Sequence, residues 1–284
     1  MDRKPIGVGR TAEVFEETEF TVLKLFYAHF PSNLAEREYR ISHTISQLGL
    51  STPKPVGRLI LDGRQGIVYE RIRGLTMVRL LGQKPWRCIK EARRLAELHH
   101  EIHKLHISND LDLPKLRDDW SERISNTTLL NDAEKQEIQF RLNQMQDGDQ
   151  LCHGDLHPDN VIIGDQVWIM DWMTGMIGNS AADAARTALI LRTGALPSGA
   201  PKLLIVIIKI IQGWMSRAYM RHYLKLSGRT GLELEAWSLF AAAARLVESI
   251  SDEEKQQLVR MIQSKLKGDG TGGYRSQTNI KREL

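Results

Sequence analysis

Residues 151 to 160 read LCHGDLHPDN, a short apolar start followed by two histidines, two aspartates and an asparagine. Asp155 and Asn160 stand five residues apart in a loop that leads into a predicted strand, and a second short strand ends at Asp171. This spacing gathers two carboxylates and an amide at the mouth of one hairpin. Hard oxygen donors of that kind suit Mg²⁺, which takes one or two carboxylates together with phosphate oxygens. A group beside the metal is then free to orient a nucleophile. HPDN alone is an ordinary polar turn and MDW alone an ordinary strand end; it is their combination that points to chemistry on phosphate.

The rest of the chain must hold these groups in place. Residues 5–27 alternate apolar and polar around glycines and predict two or three short antiparallel strands. Asn33 to Leu48 keeps helical spacing, with Ser32 or Asn33 as its cap. VGRLILDGRQGIVYERI predicts a strand, an Asp-Gly turn and a second strand. After Gly74 the pattern turns helical. Ala92, Leu95, Leu98, Ile102 and Leu105 mark one amphipathic helix, and residues 119–146, 180–192, 202–226 and 233–266 predict the remainder. VIIGDQVWIMDW, turning at Gly164-Asp165, is the one clear return to strands.

Composition narrows the function. The net charge is only +4, and the basic residues are spread without aromatic interleaving, so no nucleic-acid partner is expected. Cys88 and Cys152 lie far apart and outside any CxxC pair, which predicts reduced thiols. MDRKPIGVGR lacks the apolar core of a signal peptide, so a cytoplasmic location is expected. Leu203 to Ile211 is about half of what a membrane span needs and carries Lys209, which predicts a buried helix and no membrane partner. HHEIHKLH places His99 and His103 on one helix face, but it is not HExxH and no further ligands complete a zinc site.

HGDLHPDN followed by a strand ending in Asp171 resembles the catalytic loop of the protein-kinase-like phosphotransferases, most closely the aminoglycoside phosphotransferase and choline kinase branch. The matching residues are Asp155, His157, Asn160 and Asp171. GVGRTAEV, with Gly7 and Gly9, resembles the Gly-rich loop. A Rossmann fingerprint is its rival, but that needs a helix straight after the glycines, where this chain predicts a strand. The resemblance implies an α+β, protein-kinase-like two-lobed fold. Residues 1–72 would form a small antiparallel-sheet N-lobe with one helix, and 73–267 a larger, mainly helical C-lobe. Residues 268–284 have almost nothing to bury and predict a disordered tail.

The resemblance also implies an ATP-dependent phosphotransferase acting on a hydroxyl, with ATP and Mg²⁺ as cofactors. Asn160 and Asp171 would hold the metal, and Asp155 would accept or orient the hydroxyl proton. Lys24 would meet the nucleotide phosphates, braced by Glu38 or by Glu36, and backbone groups near Glu70 and Arg71 would meet the purine edge. Asp183 reads as a buried helix-start carboxylate. Gly154 stands where protein kinases carry an arginine, and only a short stretch separates Asp171 from the helix near Ser180. A small-molecule acceptor is therefore favoured over an atypical protein kinase or a silent nucleotide-binding module. The basic residues between 201 and 230, which include Arg217, Arg221 and Lys225 but no acid, predict a neutral or anionic acceptor.

Overall fold

The computed structural model describes residues 4–108, 111–194 and 201–268. Its N-terminal part is a five-stranded antiparallel sheet in the order β1-β2-β3-β5-β4. The strands are β1 (Gly7–Val8), β2 (Ala12–Glu16), β3 (Thr21–Phe26), β4 (Pro55–Leu61) and β5 (Arg64–Glu70). Asp62 and Gly63 both take positive φ, 50° and 75°, as a two-residue primed hairpin turn requires, and set Leu61 opposite Arg64.

Helix α1 (Ser32–Ser46) buries Ala35, Glu38, Ile41, Ser42 and Ile45, the three- and four-residue steps of one face. Neither Ser32 nor Asn33 caps it. Pro31 occupies the cap position, and its carbonyl accepts from the amides of Leu34 and Ala35. Ala12, Phe26, Ala35 and Ile67 form a small core between α1 and the sheet, while Ile41 and Ile45 join the main core below.

The C-terminal part is mainly helical. After β6 (Leu75–Thr76) come α2 (Met77–Gln83), α3 (Cys88–His103), α4 (Leu116–Asn126) and α5 (Asp132–Gln144), then α6 (Ser180–Thr193), α7 (Lys202–Ser227), α8 (Gly231–Arg245) and α9 (Asp252–Gly268). Two spans predicted as single helices, 119–146 and 233–266, are each a pair. A capping box of Asn131 and Glu134 starts α5 inside the first span, and Ser251 Oγ accepts the Glu254 amide where α9 starts inside the second. The expected tail lies outside the described residues, apart from Gly268, the last residue of α9.

Three small strand pairs are set into this lobe. β7 (Gln150–Cys152) pairs with β10 (Met176–Gly178), and β8 (Val161–Ile163) pairs with both β6 and β9 (Val167–Ile169). Cys88 and Cys152 are buried and unpaired, as predicted.

Helix α7 departs from expectation. It runs unbroken for 26 residues and is long and apolar enough to cross a membrane by length and composition, yet only 17% of its apolar window is buried. Leu203, Ile207, Ile210 and Trp214 are exposed instead of forming core. The reason is where it packs. Met215, Ser216, Tyr219 and Tyr223, all in the C-terminal half, are its buried residues, and the first half extends beyond them.

Candidate active site

β7 delivers the chain to His153, Gly154 and Asp155. Gly154 has φ +76°, and a Cβ there would run into the Thr174 carbonyl oxygen, so no side chain fits where a protein kinase would carry its arginine. The His153 ring is buried. Its Nε2 lies 3.0 Å from the Met170 carbonyl, and its Nδ1 accepts the Asp155 amide at 3.2 Å, which fixes a neutral ring protonated on Nε2. Burial holds its pKa below the ordinary value. One imidazole thus ties Asp155 to the residue before Asp171.

A 3₁₀ turn over Pro158–Asn160 follows, started by the Asp159 amide donating to His157. Asn160 donates from Nδ2 to the Asp155 carbonyl at 2.9 Å, which turns its side-chain Oδ1 to the other side of the amide, and its own backbone carbonyl accepts from Met170. Asp171 then takes φ 61°, an uncommon left-handed conformation for a residue other than glycine, between β9 and the turn at Trp172–Thr174.

The opposite wall comes from the N-terminal sheet. Lys24 on β3 sits 2.6 Å from Glu38 Oε1 and 2.9 Å from Asp171 Oδ1. Glu38, not Glu36, is therefore the helical partner; Glu36 points outward and pairs with Arg58. Tyr69 also donates to Glu38, at 3.0 Å. Burial would lower the Lys24 pKa, but the carboxylates of Asp171 and Glu38 more than reverse this and hold the ammonium charged. Burial pushes the Glu38 carboxyl up against the pull of that ammonium, and its Oε2 has no hydrogen-bond partner.

Asp155 lies in a cationic cage. Its Oδ1 is 3.2 Å from Arg186 Nη2, and its Oδ2 is 3.3 Å from His157 Nε2 and 3.9 Å from Arg10. Burial alone would raise its pKa. The hydrogen bond from His157, with the charges of Arg186 and Arg245 behind it, instead holds it well below the usual carboxylate range. Asp171 is likewise lowered, as the Lys24 charge outweighs burial.

A cleft of about 440 Å³ joins these groups, lined by Gly7, Gly9, Lys24, Glu38, Asp155, Asn160 and Asp171 among others. Its upper part is apolar, with Val14, Val22, Ile72, Ile162 and Met170. The glycine hairpin continues into strand β2, which excludes the Rossmann reading. Of the two residues expected at the purine edge, Glu70 lines the cleft and Arg71 does not. The Arg71 amide donates to the Phe20 carbonyl and its side chain pairs with Glu16, so the chain returns to the cleft at Ile72.

Residues that sequence reasoning left outside the site support the loop from below. Asp183, fully buried in the first turn of α6, accepts the amides of His153 at 2.6 Å and Gly154 at 3.0 Å. It also accepts from Nε2 of His99 at 2.9 Å and of His103 at 3.2 Å, while Tyr219 and Tyr223 meet the two Nδ1 atoms. Asp183 is a third ligand-type group that the sequence did not show beside His99 and His103, with the three ligand atoms within 4.8 Å of one another, and here both rings are engaged in a hydrogen-bond cluster. Burial and the neighbouring His99 depress the His103 pKa to about 3, so that ring is neutral at working pH. Arg186, one turn along α6, bonds the Gly154 carbonyl and bridges Asp155 to Glu248, which is 2.5 Å away.

Residues 2–205 match the family model described as the phosphotransferase enzyme family. The chain belongs to that family. No curated protein sequence matches it significantly. Among solved structures it is similar to a thermostable mutant of the aminoglycoside phosphotransferase APH(4)-Ia in ternary complex with AMP-PNP and hygromycin B. That match has a TM-score of 0.63 at 15% identity and covers 96% of this chain and 95% of the other. It is also similar to the streptomycin–ATP–APH(2″)-IIa ternary complex, with a TM-score of 0.55 at 14% identity and coverage of 93% and 91%. A choline kinase from Cryptosporidium parvum gives a TM-score of 0.50 at 14% identity, covering 94% of this chain and 89% of its own. These likenesses show a protein-kinase-like fold with a small antiparallel-sheet N-lobe and a helical C-terminal lobe.

Proposed function

We propose that this member of the phosphotransferase family moves the γ-phosphoryl group of ATP to a hydroxyl of a small molecule. The observation that carries the reading is the placement of Lys24 between Glu38 and Asp171, in the same cleft as Asp155 and Asn160, although Lys24 and Asp171 are 147 residues apart in sequence. Phosphoryl transfer asks for positioning and charge neutralisation more than for covalent chemistry, and each of these side chains supplies one or the other.

Val14, Val22, Ile72, Ile162 and Met170 form the slot for a purine, with the backbone of Glu70 and Ile72 at its edge. The glycine hairpin covers the phosphates with backbone amides. Lys24, kept charged by its two carboxylates, meets the phosphate oxygens. Asp171 and the Asn160 side-chain carbonyl offer hard oxygen donors, joined through the Met170–Asn160 backbone bond, and this donor set fits Mg²⁺. The ion, when bound, would neutralise charge between phosphates.

Asp155 holds the acceptor hydroxyl. Its low pKa keeps it ionised, so it orients the O–H as a hydrogen-bond acceptor and takes the proton only as the new O–P bond forms and the bond to the leaving ADP breaks. A weak base suffices for a loose transition state that develops little charge on the nucleophile. The stretch between Asp171 and α6 holds only the turn at 172–174 and β10, which leaves no platform for a peptide and favours a small acceptor. The charge argument from residues 201–230 finds no footing in the cleft, because Arg217, Arg221 and Lys225 line a different groove.

ADP release measured across a panel of hydroxylated metabolites and antibiotics, with Mg²⁺ and ATP present, tests the reading. Saturable turnover of at least one member is expected. A protein that neither binds Mg²⁺–ATP by calorimetry nor turns over any panel member would defeat it.

A further inference from the structure

Helix α7 carries a stripe that the cleft does not use. Leu203, Ile207, Ile210, Trp214, Arg217, Arg221 and Lys225 follow one another at steps of three and four, so they share one helical face, and all seven are exposed. The stripe changes character once along its length. From Leu203 to Trp214, about 16 Å at 1.5 Å per residue, it is wholly apolar; from Arg217 to Lys225, about 12 Å, it is wholly cationic. Leu203 is 73% exposed and Trp214 52%.

The cationic half opens on a groove of about 500 Å³ between α3 and α7, lined by Ile89, Arg93, Trp214, Arg217, Arg221 and Lys225 among others. Arg93, Arg217, Arg221 and Lys225 form no ion pair with any described carboxylate, whereas the neighbouring His222 is paired with Glu97. Residues 201–230 contain no Asp or Glu. The bonds His99–Tyr219 and His103–Tyr223 show that α3 and α7 run in the same direction at a constant offset. Trp86, just ahead of α3, is a further exposed apolar side chain, 74% accessible.

We infer that this face of α7 docks the protein on the surface of an anionic phospholipid bilayer, with the apolar half and Trp214 entering the interface and Arg93, Arg217, Arg221 and Lys225 meeting lipid phosphates. A bilayer surface has the same order of chemistry as the stripe, apolar below and anionic above, with tryptophan favoured at the boundary. A second copy of the chain is a poor occupant. A two-fold interface sets the same patch against itself, so one centred on the apolar half would leave the cationic half with no acid to meet, and one centred on the cationic half would oppose like charges. Nucleic acid would leave Leu203, Ile207 and Ile210 without a partner. Spanning is excluded by the C-terminal half, where Tyr219 and Tyr223 are buried and bonded to α3.

Sedimentation with vesicles of phosphatidylcholine alone, and of phosphatidylcholine mixed in equal parts with phosphatidylglycerol, tests the surface. The full chain is expected to pellet with the anionic vesicles, less so as salt is raised, and to stay in solution with the neutral ones. Arg217→Gln/Arg221→Gln should weaken binding by about thirtyfold, taking a comparable contribution from each lost cation. Leu203→Glu/Ile207→Glu should abolish it. Both variants should keep the wild-type melting temperature, because these side chains are exposed. Several outcomes overturn the inference: no binding to anionic vesicles, equal binding to neutral ones, variants that bind like wild type, or binding of inorganic phosphate in solution without vesicle binding. Light scattering that shows a dimer dissociated by Leu203→Glu/Ile207→Glu, with no vesicle binding, also overturns it and assigns the face to self-association.

Discussion

Replacing Lys24 by methionine separates the stability role of the Lys24–Glu38–Asp171 group from its chemical role. Glu38 is 1% exposed, its Oε2 is unpartnered, and Lys24 is its only cationic contact among the described residues. A methionine side chain would fill the space of the lysine stem but leave a buried carboxylate held by the Tyr69 hydroxyl alone. Breaking a buried pair from one side costs about 3 kcal/mol. Spread over 284 residues at about 2.1 cal/mol/K each, this lowers the melting temperature by about 5 °C.

The pH dependence carries the sign. With the ammonium gone, burial raises the folded-state pKa of Glu38 above its unfolded value. Such an acid takes up a proton on folding between the two pKa values, so stability falls as pH rises through that window. Lys24→Met should therefore lose more stability at pH 7 than at pH 5, and Lys24→Met/Glu38→Gln should regain most of it. Neither variant should transfer phosphate at more than about a hundredth of the wild-type rate, since the ammonium that offsets the charge of the phosphate oxygens is lost in both. Thermal melts at the two pH values, with ADP release at pH 7, give the readout. A single variant as stable as wild type at pH 7, or a double variant that recovers turnover, would refute the reasoning.

Asp155→Asn keeps the shape and the contact with the Arg186 cage but removes the proton acceptor; turnover should fall by about a hundredfold or more while the affinity for Mg²⁺–ATP, measured by calorimetry, stays within a few-fold. Gly154→Ala drives a Cβ into the Thr174 carbonyl oxygen at a positive φ, so it should displace the loop and depress both turnover in the ADP-release assay and melting temperature. His103 has a folded pKa of about 3, below its ordinary value of 6.5, so the unfolded chain binds the proton first and stability falls as pH drops from 6.5 towards 3. The limiting slope from this group is about 1.4 kcal/mol per pH unit, and urea titrations of His103→Gln should show a shallower loss than wild type over that range.

The candidate catalytic loop was legible because its chemistry is local: Asp155 and Asn160 lie in one short stretch, and polar groups crowded behind an apolar strand are visible without a fold. Lys24 and Glu38 became legible only through the resemblance, since an isolated lysine on a strand and a glutamate on a helix carry no signal of facing one another. The structure chose Glu38 over Glu36 because Glu38 lies on the buried face of α1 with Ala35, Ile41 and Ile45. Arg186 was hidden for the opposite reason. An arginine in a helix reads as surface, and the two acids that bury it, Asp155 and Glu248, lie 31 and 62 residues away. Hydropathy also misled over Leu203 to Ile211, because an apolar run records affinity for an apolar partner and not whether that partner is the protein's own core. The breaks before α5 and α9 could have been found, as N-x-x-E at Asn131 and S-x-x-E at Ser251 are helix-start patterns.

The loop and the helix beneath it explain how the weakly basic carboxylate of Asp155 is held in the place the proposed function needs. Asp183 and Arg186 are three residues apart on α6 and so face the same way. Asp183 accepts the amides of His153 and Gly154, and Arg186 takes the carbonyl of Gly154 and the carboxylate of Asp155. Between them they fix the peptide units that lead into the Asp155 side chain, and Glu248 on the segment after α8 neutralises the remaining charge of Arg186. His99 and His103 donate to Asp183, which lets that aspartate stay ionised in the core and keep its pull on the loop amides. The position of Asp155 is therefore set by α3, α6 and the end of α8 together. A substitution on any of them that leaves the cleft-lining residues untouched can still lower turnover, by moving Asp155 relative to Lys24 and Asp171 on the opposite wall.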